Sequence, residues 1–144
     1  MRRILVVANL TLGGEQLRAT LRERVAEGPC ALHILVPASP DPTSWHSRSE
    51  EDDVAHARQR LEAALQRFRD LQAEEVTGEV GDPRPTDAIT DVLRRAEFDE
   101  IVLSTLPPGV SRWLHADLVS RVERAVDLPV THVITDVDLA PPSG

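Results

Sequence analysis

The chain has 144 residues, a length typical of one domain. Hydrophobic residues make up 41% and charged residues 28%, which is enough apolar material for a core beneath a polar surface. Asp and Glu outnumber Lys and Arg by 24 to 16, giving a formal net charge of −8. This balance argues against nucleic acid or an anionic membrane surface as a partner, because phosphate groups are bound by basic patches.

Cysteine content and hydropathy indicate the compartment. Cys30 is the only cysteine, so no disulfide can form within the chain. The apolar run after Met1 is short and is interrupted by Asn9, unlike the core of a signal peptide. No run approaches the roughly 20 apolar residues of a membrane span. We therefore predict a cytoplasmic protein.

The first half of the chain alternates apolar runs with amphipathic segments. Residues 4–8 and 31–36 are continuous runs of β-forming residues, as expected of strands covered on both faces of a parallel sheet. Between them, residues 15–27 have the apolar periodicity of a helix. A second, longer helix is predicted to follow an N-cap at Ser49 and to end near residue 72.

Three further strands are predicted in the second half, over residues 74–80, 98–104 and 130–135. The first of these is the most polar, which favours a place at the edge of the sheet. A helix follows it, and we expect Asp82 as its N-cap and Pro83 at its first position.

The last predicted helix begins after an N-cap at Asp117. Its expected buried face consists of Leu118, Val122, Ala125 and Val126. Residues 137–144 are predicted to be a flexible tail, which leaves residues 1–136 as the domain.

Strands that alternate with helices predict an α/β fold. We expect a single-domain, doubly wound, five-stranded parallel sheet with right-handed crossovers and helices on both faces. In such sheets ligands bind beyond the carboxyl ends of the strands, where the strand order reverses. For the order 3-2-1-4-5, that point lies between the loops after strands one and four.

The chain resembles the universal stress protein domain over residues 3–135. The resemblance rests on ILVVAN and LHILV in the first two strands, GDPRPTDAI before the third helix, and DEIVLST and LPVTHV in the last two strands. It implies the sheet order 3-2-1-4-5 of the adenine nucleotide alpha hydrolase-like fold and a role in stress physiology. It also implies a homodimer, formed through the last strand over residues 130–135.

Two departures from the family pattern concern nucleotide binding. Nucleotide-binding members carry an Asp after strand one that contacts adenine, and this chain has Asn9 there. They also carry a glycine-rich phosphate motif after strand four. Here the first two glycine positions fall near Ser104 and Pro107, and proline has no backbone N–H to donate to a phosphate.

The candidate ligand-binding residues cluster at the predicted switch point. They are Asn9, Thr11, Ile34, Ser104, Thr105, Gly109, Ser111 and Arg112. In one interpretation, Arg112 and the loop amides hold a small polar or anionic ligand. In the other, the loop is a rigid proline turn whose hydroxyls satisfy its own backbone, and Arg112 pairs with Asp117 or with an acidic dimer surface.

No catalytic or metal-binding residue is predicted. The five His residues show no ligand spacing, and the G-x-S-x-G elbow of α/β-hydrolases is absent. The leading hypothesis is a non-catalytic stress-response or regulatory module, without a cofactor, that does not bind ATP in the usual way. The alternative is a protein that binds an adenine nucleotide, ATP or AMP, with altered phosphate contacts at the switch point of strands one and four.

Overall fold

The computed structural model of the chain describes residues 1–9, 11–38, 50–106 and 118–135. Strands and helices alternate along it as the sequence predicts. They are β1 (Arg2–Val7), α1 (Glu15–Glu27), β2 (Cys30–Pro37), α2 (Glu50–Arg69), β3 (Glu75–Gly81), α3 (Pro85–Arg95), β4 (Glu100–Thr105) and β5 (Val130–Ile134). Residues 118–125 are also helical and belong to α4.

The five strands form one all-parallel sheet in the order β3-β2-β1-β4-β5, which confirms the predicted fold class. The most polar strand, β3, lies at an edge, as predicted. At the centre, Val7 of β1 is in register with Leu35 of β2 and Leu103 of β4. The carboxyl ends of β1 and β4 are therefore adjacent, and this is the switch point.

Hydrophobic cores lie on both faces of the sheet. Ile4 and Val6 of β1 face the core that contains α1 and α2, whereas Leu5 and Val7 face the core that contains α3 and α4. All four side chains are at most 2% exposed. A strand covered on both faces needs an uninterrupted apolar run, which is why β1 shows no alternation in the sequence.

Helix α2 packs closely on the sheet. Its buried side chains include Ala57, Leu61, Ala64 and Phe68, which belong to the predicted apolar stripe. Opposite them lies Gly78 of β3. A Cβ atom there would lie 2.5 Å from Leu61 Cδ1, so the absence of a side chain allows the close approach.

Two predicted details of the helices are wrong. Helix α3 starts at Pro85 rather than Pro83, with Arg84 as its N-cap. The reason is local: the Asp82 carboxylate accepts a 2.8 Å hydrogen bond from the backbone N–H of Arg84, which makes a turn before the helix. In α4, Val122 is buried as expected, but Ala125 is exposed.

Other predicted features lie outside the described residues, namely the caps at Ser49 and Asp117 and the tail over residues 137–144. Over the ranges that are described, no helix is both long and apolar enough to cross a membrane.

Candidate functional site

The predicted site residues that the structure describes come mainly from the β1–α1 turn and from the end of β4. Because β1 and β4 are neighbours in the sheet, Asn9 and Thr11 lie at the same edge as Ser104 and Thr105. Thr11 and Ser104 are in direct contact through their hydroxyl groups. The tertiary structure therefore brings together residues that lie 93 positions apart in the chain.

The hydroxyl groups at this edge form a directed chain. The Ser104 hydroxyl donates to Thr11 Oγ1 at 2.8 Å and lies 2.7 Å from Thr135 Oγ1. The Thr11 hydroxyl is in turn directed at the Ser104 carbonyl oxygen at 3.5 Å. These three side chains are at most 6% exposed, so they satisfy one another inside the protein.

Thr105 makes a separate contact. Its hydroxyl lies 2.7 Å from His132 Nε2 on β5, and which group donates depends on the His tautomer. This contact joins the end of β4 to the middle of β5. Thr105 therefore lies beside Ser104 in the sequence but bonds to a different partner, because successive side chains of a strand point to opposite faces.

Asn9 connects three elements. Its Nδ2 group donates to the Pro37 carbonyl at the end of β2 at 2.8 Å, and its Oδ1 atom accepts from Arg60 Nη1 of α2 at 2.9 Å. The amide is suited to this place because it donates and accepts at once. An Asp carboxylate, which only accepts, would be repelled by the Pro37 carbonyl oxygen.

Four predicted site residues remain. One of them is buried in the core, and the other three lie outside the described residues. Ile34 is fully buried, in register with Val6 and Gly78, and belongs to the core beneath α1 and α2. Gly109, Ser111 and Arg112 lie outside the described residues, as do the prolines of the same loop, so their roles stay predictions.

The structure adds a cleft that the sequence did not indicate. It lies between the β1–α1 turn and α2, has a volume of about 180 Å³, and is lined by Asn9, Leu12, Gly13, Arg60, Ala63, Ala64 and Arg67. Arg60 and Arg67 are seven residues apart, and this spacing puts them on one face of a helix. The seven-residue spacing of the two arginines can be read from the sequence, but the chain has many arginines. Only the tertiary structure shows that these two face the β1–α1 turn.

The opposite, amino edge of the sheet holds an ion-pair network. Glu100, 2% exposed, accepts hydrogen bonds from Arg2 at 2.9 Å, from Arg24 at 2.9 and 3.0 Å, and from the Thr131 hydroxyl at 2.6 Å. Burial acts to raise the pKa of Glu100, but the hydrogen bonds from Arg24 and Thr131 outweigh it and hold that pKa below its ordinary value. This network ties β1, α1, β4 and β5 together.

A second polar group lies on the face of the sheet next to Phe98, whose ring centroid is 5.9 Å from that of His33. His33 lies 2.7 Å from Thr77 Oγ1 and 3.1 Å from Glu79 Oε2, and Glu79 is also paired with Arg95. Burial acts to raise the pKa of Glu79, yet the bonds from Arg95 and His33 outweigh it and lower that pKa. Among the described residues, no group of His, Cys, Asp and Glu has the arrangement of a metal site.

Sequence comparison does not assign the chain, because no protein-family model matches it and no curated protein sequence matches it significantly. Comparison with solved structures does find similar proteins. Universal stress protein UspA from Lactobacillus plantarum has a TM-score of 0.67 and 19% identity, with 92% of this chain and 97% of that chain covered.

Two further similar structures contain nucleotides. The universal stress protein from Archaeoglobus fulgidus, in complex with dAMP, has a TM-score of 0.62 and 18% identity, over 92% of this chain and 98% of that one. A universal stress protein family protein from Arabidopsis thaliana with AMP bound has a TM-score of 0.64 and 15% identity, over 99% and 97%. The chain therefore has the adenine nucleotide alpha hydrolase-like fold of the universal stress proteins, as its sequence motifs predict.

Proposed function

We propose that this protein is a non-catalytic regulatory module of the universal stress protein type that does not bind ATP in the usual way. The observation that carries the proposal is the closed hydroxyl chain of Thr11, Ser104 and Thr135 at the switch point. Hydroxyl groups that are buried and bonded to one another are not available to a ligand unless the chain is opened. Each hydrogen bond lost in opening it costs about 1 kcal/mol.

Asn9 supports the same proposal. Its amide is engaged on both sides, by the Pro37 carbonyl and by Arg60. An adenine ring would have to replace one of these contacts to be recognised there. Pro107 and Pro108 follow β4, where the family's phosphate motif is expected. Because proline has no backbone N–H, they would further weaken contacts with a triphosphate.

The absence of catalysis is part of the proposal and is supported by the surroundings of Ser104. The described partners of its hydroxyl are the hydroxyls of two threonines rather than an imidazole or a carboxylate. A serine nucleophile requires a neighbouring base to remove its proton. Ser104 is therefore assigned a structural role.

Isothermal titration calorimetry with ATP and Mg²⁺ tests the proposal directly. We expect no heat of binding at micromolar ATP, and no release of inorganic phosphate from ATP on prolonged incubation. Micromolar binding of ATP would contradict the proposal, and steady phosphate release would contradict its non-catalytic part.

The second candidate function is binding of an adenine nucleotide with altered phosphate contacts. It is favoured by the dAMP and AMP complexes of proteins that share the fold. In this hypothesis Arg112 holds the phosphate in place of glycine amides. Mass spectrometry of nucleotides released from the purified protein tests it, and an Arg112→Ala variant that retains AMP binding would remove the role of Arg112.

We also propose a cytoplasmic homodimer that pairs through β5. In the monomer β5 is an edge strand, and its Ile134 side chain is 46% exposed. An unpaired edge with an exposed apolar side chain favours association with a second strand. Cys30 is a free thiol in the core, which fits a reducing compartment.

A further inference from the structure

The cleft beside α2 is lined by two cationic side chains in a protein whose formal net charge is −8. Two arginines line it, Arg60 and Arg67, and none of the described residues that line it carries a carboxylate. The other described side chains that line it are small or apolar apart from Asn9. Two guanidinium groups in one cleft create a local positive potential, although the protein as a whole is acidic. This potential attracts anions.

Arg67 lies against the glycine of the β1–α1 turn. A Cβ atom on Gly13 would lie 2.7 Å from Arg67 Nη1, so the guanidinium occupies the space that a side chain at position 13 would take. Among the described residues, Arg67 forms no salt bridge. Its backbone carbonyl accepts a 3.4 Å hydrogen bond from Arg18 Nη1, which brings a third guanidinium to this part of α2.

Arg60 reaches the same turn from the other end of the cleft. Its Nη1 group donates to Asn9 Oδ1 at 2.9 Å, so the guanidinium is held in a defined position. The turn itself is tight, with hydrogen bonds from Leu12 N–H to the Asn9 carbonyl at 3.3 Å and from Gly14 N–H to the Thr11 carbonyl at 3.0 Å. The two arginines are about 10 Å apart along the α2 axis, yet both contact this one turn.

We propose that this cleft binds the phosphate group of a small phosphate monoester, or free phosphate, between Arg60 and Arg67. A guanidinium has five N–H donors in a planar fork that matches the oxygens of a phosphate. A dianion of this size fits a volume of about 180 Å³. The site is independent of the proposed loss of ATP binding, because it uses α2 rather than the loop after β4.

Titration of the full chain with inorganic phosphate and with AMP, at low and high salt, tests the site. We expect both ligands to bind and their affinity to fall with salt, since screening weakens such contacts. Arg67→Gln should weaken both by at least about tenfold, because it removes a charged hydrogen-bonding group. Arg58→Gln, on the same helix and exposed, makes the same charge change outside the cleft and should leave both affinities unchanged.

The two ligands distinguish the source of the phosphate. Tighter binding of AMP than of phosphate, with both sensitive to Arg67→Gln, supports a nucleotide monoester, and equal affinities support free phosphate. AMP binding that resists Arg67→Gln but is lost in Arg112→Ala would overturn this site while leaving the second candidate function in place. Absence of binding of both ligands would also overturn it.

A second variant tests the cleft without changing its charge. Gly13→Ala places a methyl group against Arg67 Nη1 and should turn the guanidinium out of the cleft. Since only the end of a flexible side chain has to move, the urea unfolding midpoint should stay unchanged. Phosphate affinity should fall several-fold. A Gly13→Ala variant that keeps the parent's unfolding midpoint and also the parent's phosphate affinity would contradict the proposal.

Discussion

Ser104 of β4 and Thr11 of the β1–α1 turn are joined by a buried 2.8 Å hydrogen bond across the switch point of the sheet. The bond joins the end of β4 to the β1–α1 turn, at the point where parallel sheets of this order bind ligands. Thr135 completes the chain at 2.7 Å from Ser104. Three buried side chains of the protein thus bond to one another at the edge where a ligand was predicted.

We predict that Ser104→Ala destabilises the protein by about 1–3 kcal/mol, because it leaves the buried hydroxyls of Thr11 and Thr135 without their shared partner. Urea unfolding monitored by circular dichroism measures the change. Ser120→Ala is the matched control, since Ser120 is exposed on α4 and should stay within about 0.5 kcal/mol of the parent. Equal stability of the two variants would show that the hydroxyl chain does not form.

Glu100→Gln should cost about 3 kcal/mol, since it removes the charge that compensates Arg24 in a largely buried network. The side chain of Glu100 is 3% exposed and that of Arg24 17%. Glu27→Gln is the control: Glu27 also pairs with Arg2, at 3.7 Å, but is 57% exposed and should change stability by less than about 1 kcal/mol. Chemical denaturation at neutral pH compares them, and a smaller effect of Glu100→Gln than of Glu27→Gln would be contrary to expectation.

The pH dependence of stability should also report on Glu100, whose pKa is lowered from the ordinary value of 4.5. A lowered folded pKa contributes stability that is fully present above the unfolded pKa and is lost as pH falls through the folded value. The free energy of unfolding should therefore fall below about pH 4.5. In Glu100→Gln this fall should be shallower, with Glu79 contributing to the part that remains, and an unchanged slope would argue against the Glu100 network.

Gly78→Ala should destabilise the protein by about 1–3 kcal/mol through overpacking. The added Cβ would lie 2.5 Å from Leu61 Cδ1 and 2.9 Å from the Ile34 carbonyl oxygen, which is backbone and cannot easily move. Gly13→Ala serves as the comparison, because the atom it meets is the end of a flexible side chain. A thermal melt of both variants checks the order, and a Gly78→Ala melting temperature equal to the parent's would contradict the close packing of α2 on β3.

Ile134→Lys should convert the proposed homodimer into a monomer, because it places a charge on the exposed edge strand β5. Light scattering over a range of protein concentrations measures the change. Val54→Lys is a suitable control, since Val54 is an exposed apolar residue of α2, 38% accessible, far along the sheet from β5. A parent protein that is monomeric at high concentration would remove the dimer proposal.

Much of the fold was predictable because its signals are local. The continuous apolar run of β1 follows from its burial on both faces, and the periodicity of α1 from burial of one face. Helix α1 has the predicted bounds of residues 15–27. The start of α3 was misplaced because Asp82 and Pro83 have the composition of a helix start. Only the bond from Arg84 N–H to Asp82 makes them a turn instead.

The candidate site was predictable only in part. Asn9, Thr11, Ser104 and Thr105 were correctly assigned to one edge, because the carboxyl ends of parallel strands meet there. Ile34, chosen from the same region, lies wholly inside the core. Whether a polar side chain at such an edge points to a ligand or to a neighbour depends on contacts between distant parts of the chain.

The sequence alone determined the alternation of strands and helices, the polar edge strand and, through its family resemblance, the sheet order. These follow from periodicity and turn chemistry within short windows of sequence. Only the tertiary structure decided that Ser104 bonds to Thr11 and that Arg60 and Arg67 contact the turn between Asn9 and Gly13. Such contacts depend on which strands become neighbours and on how closely the helices pack. The hydrophobic pattern of the sequence does not specify which individual side chains will meet.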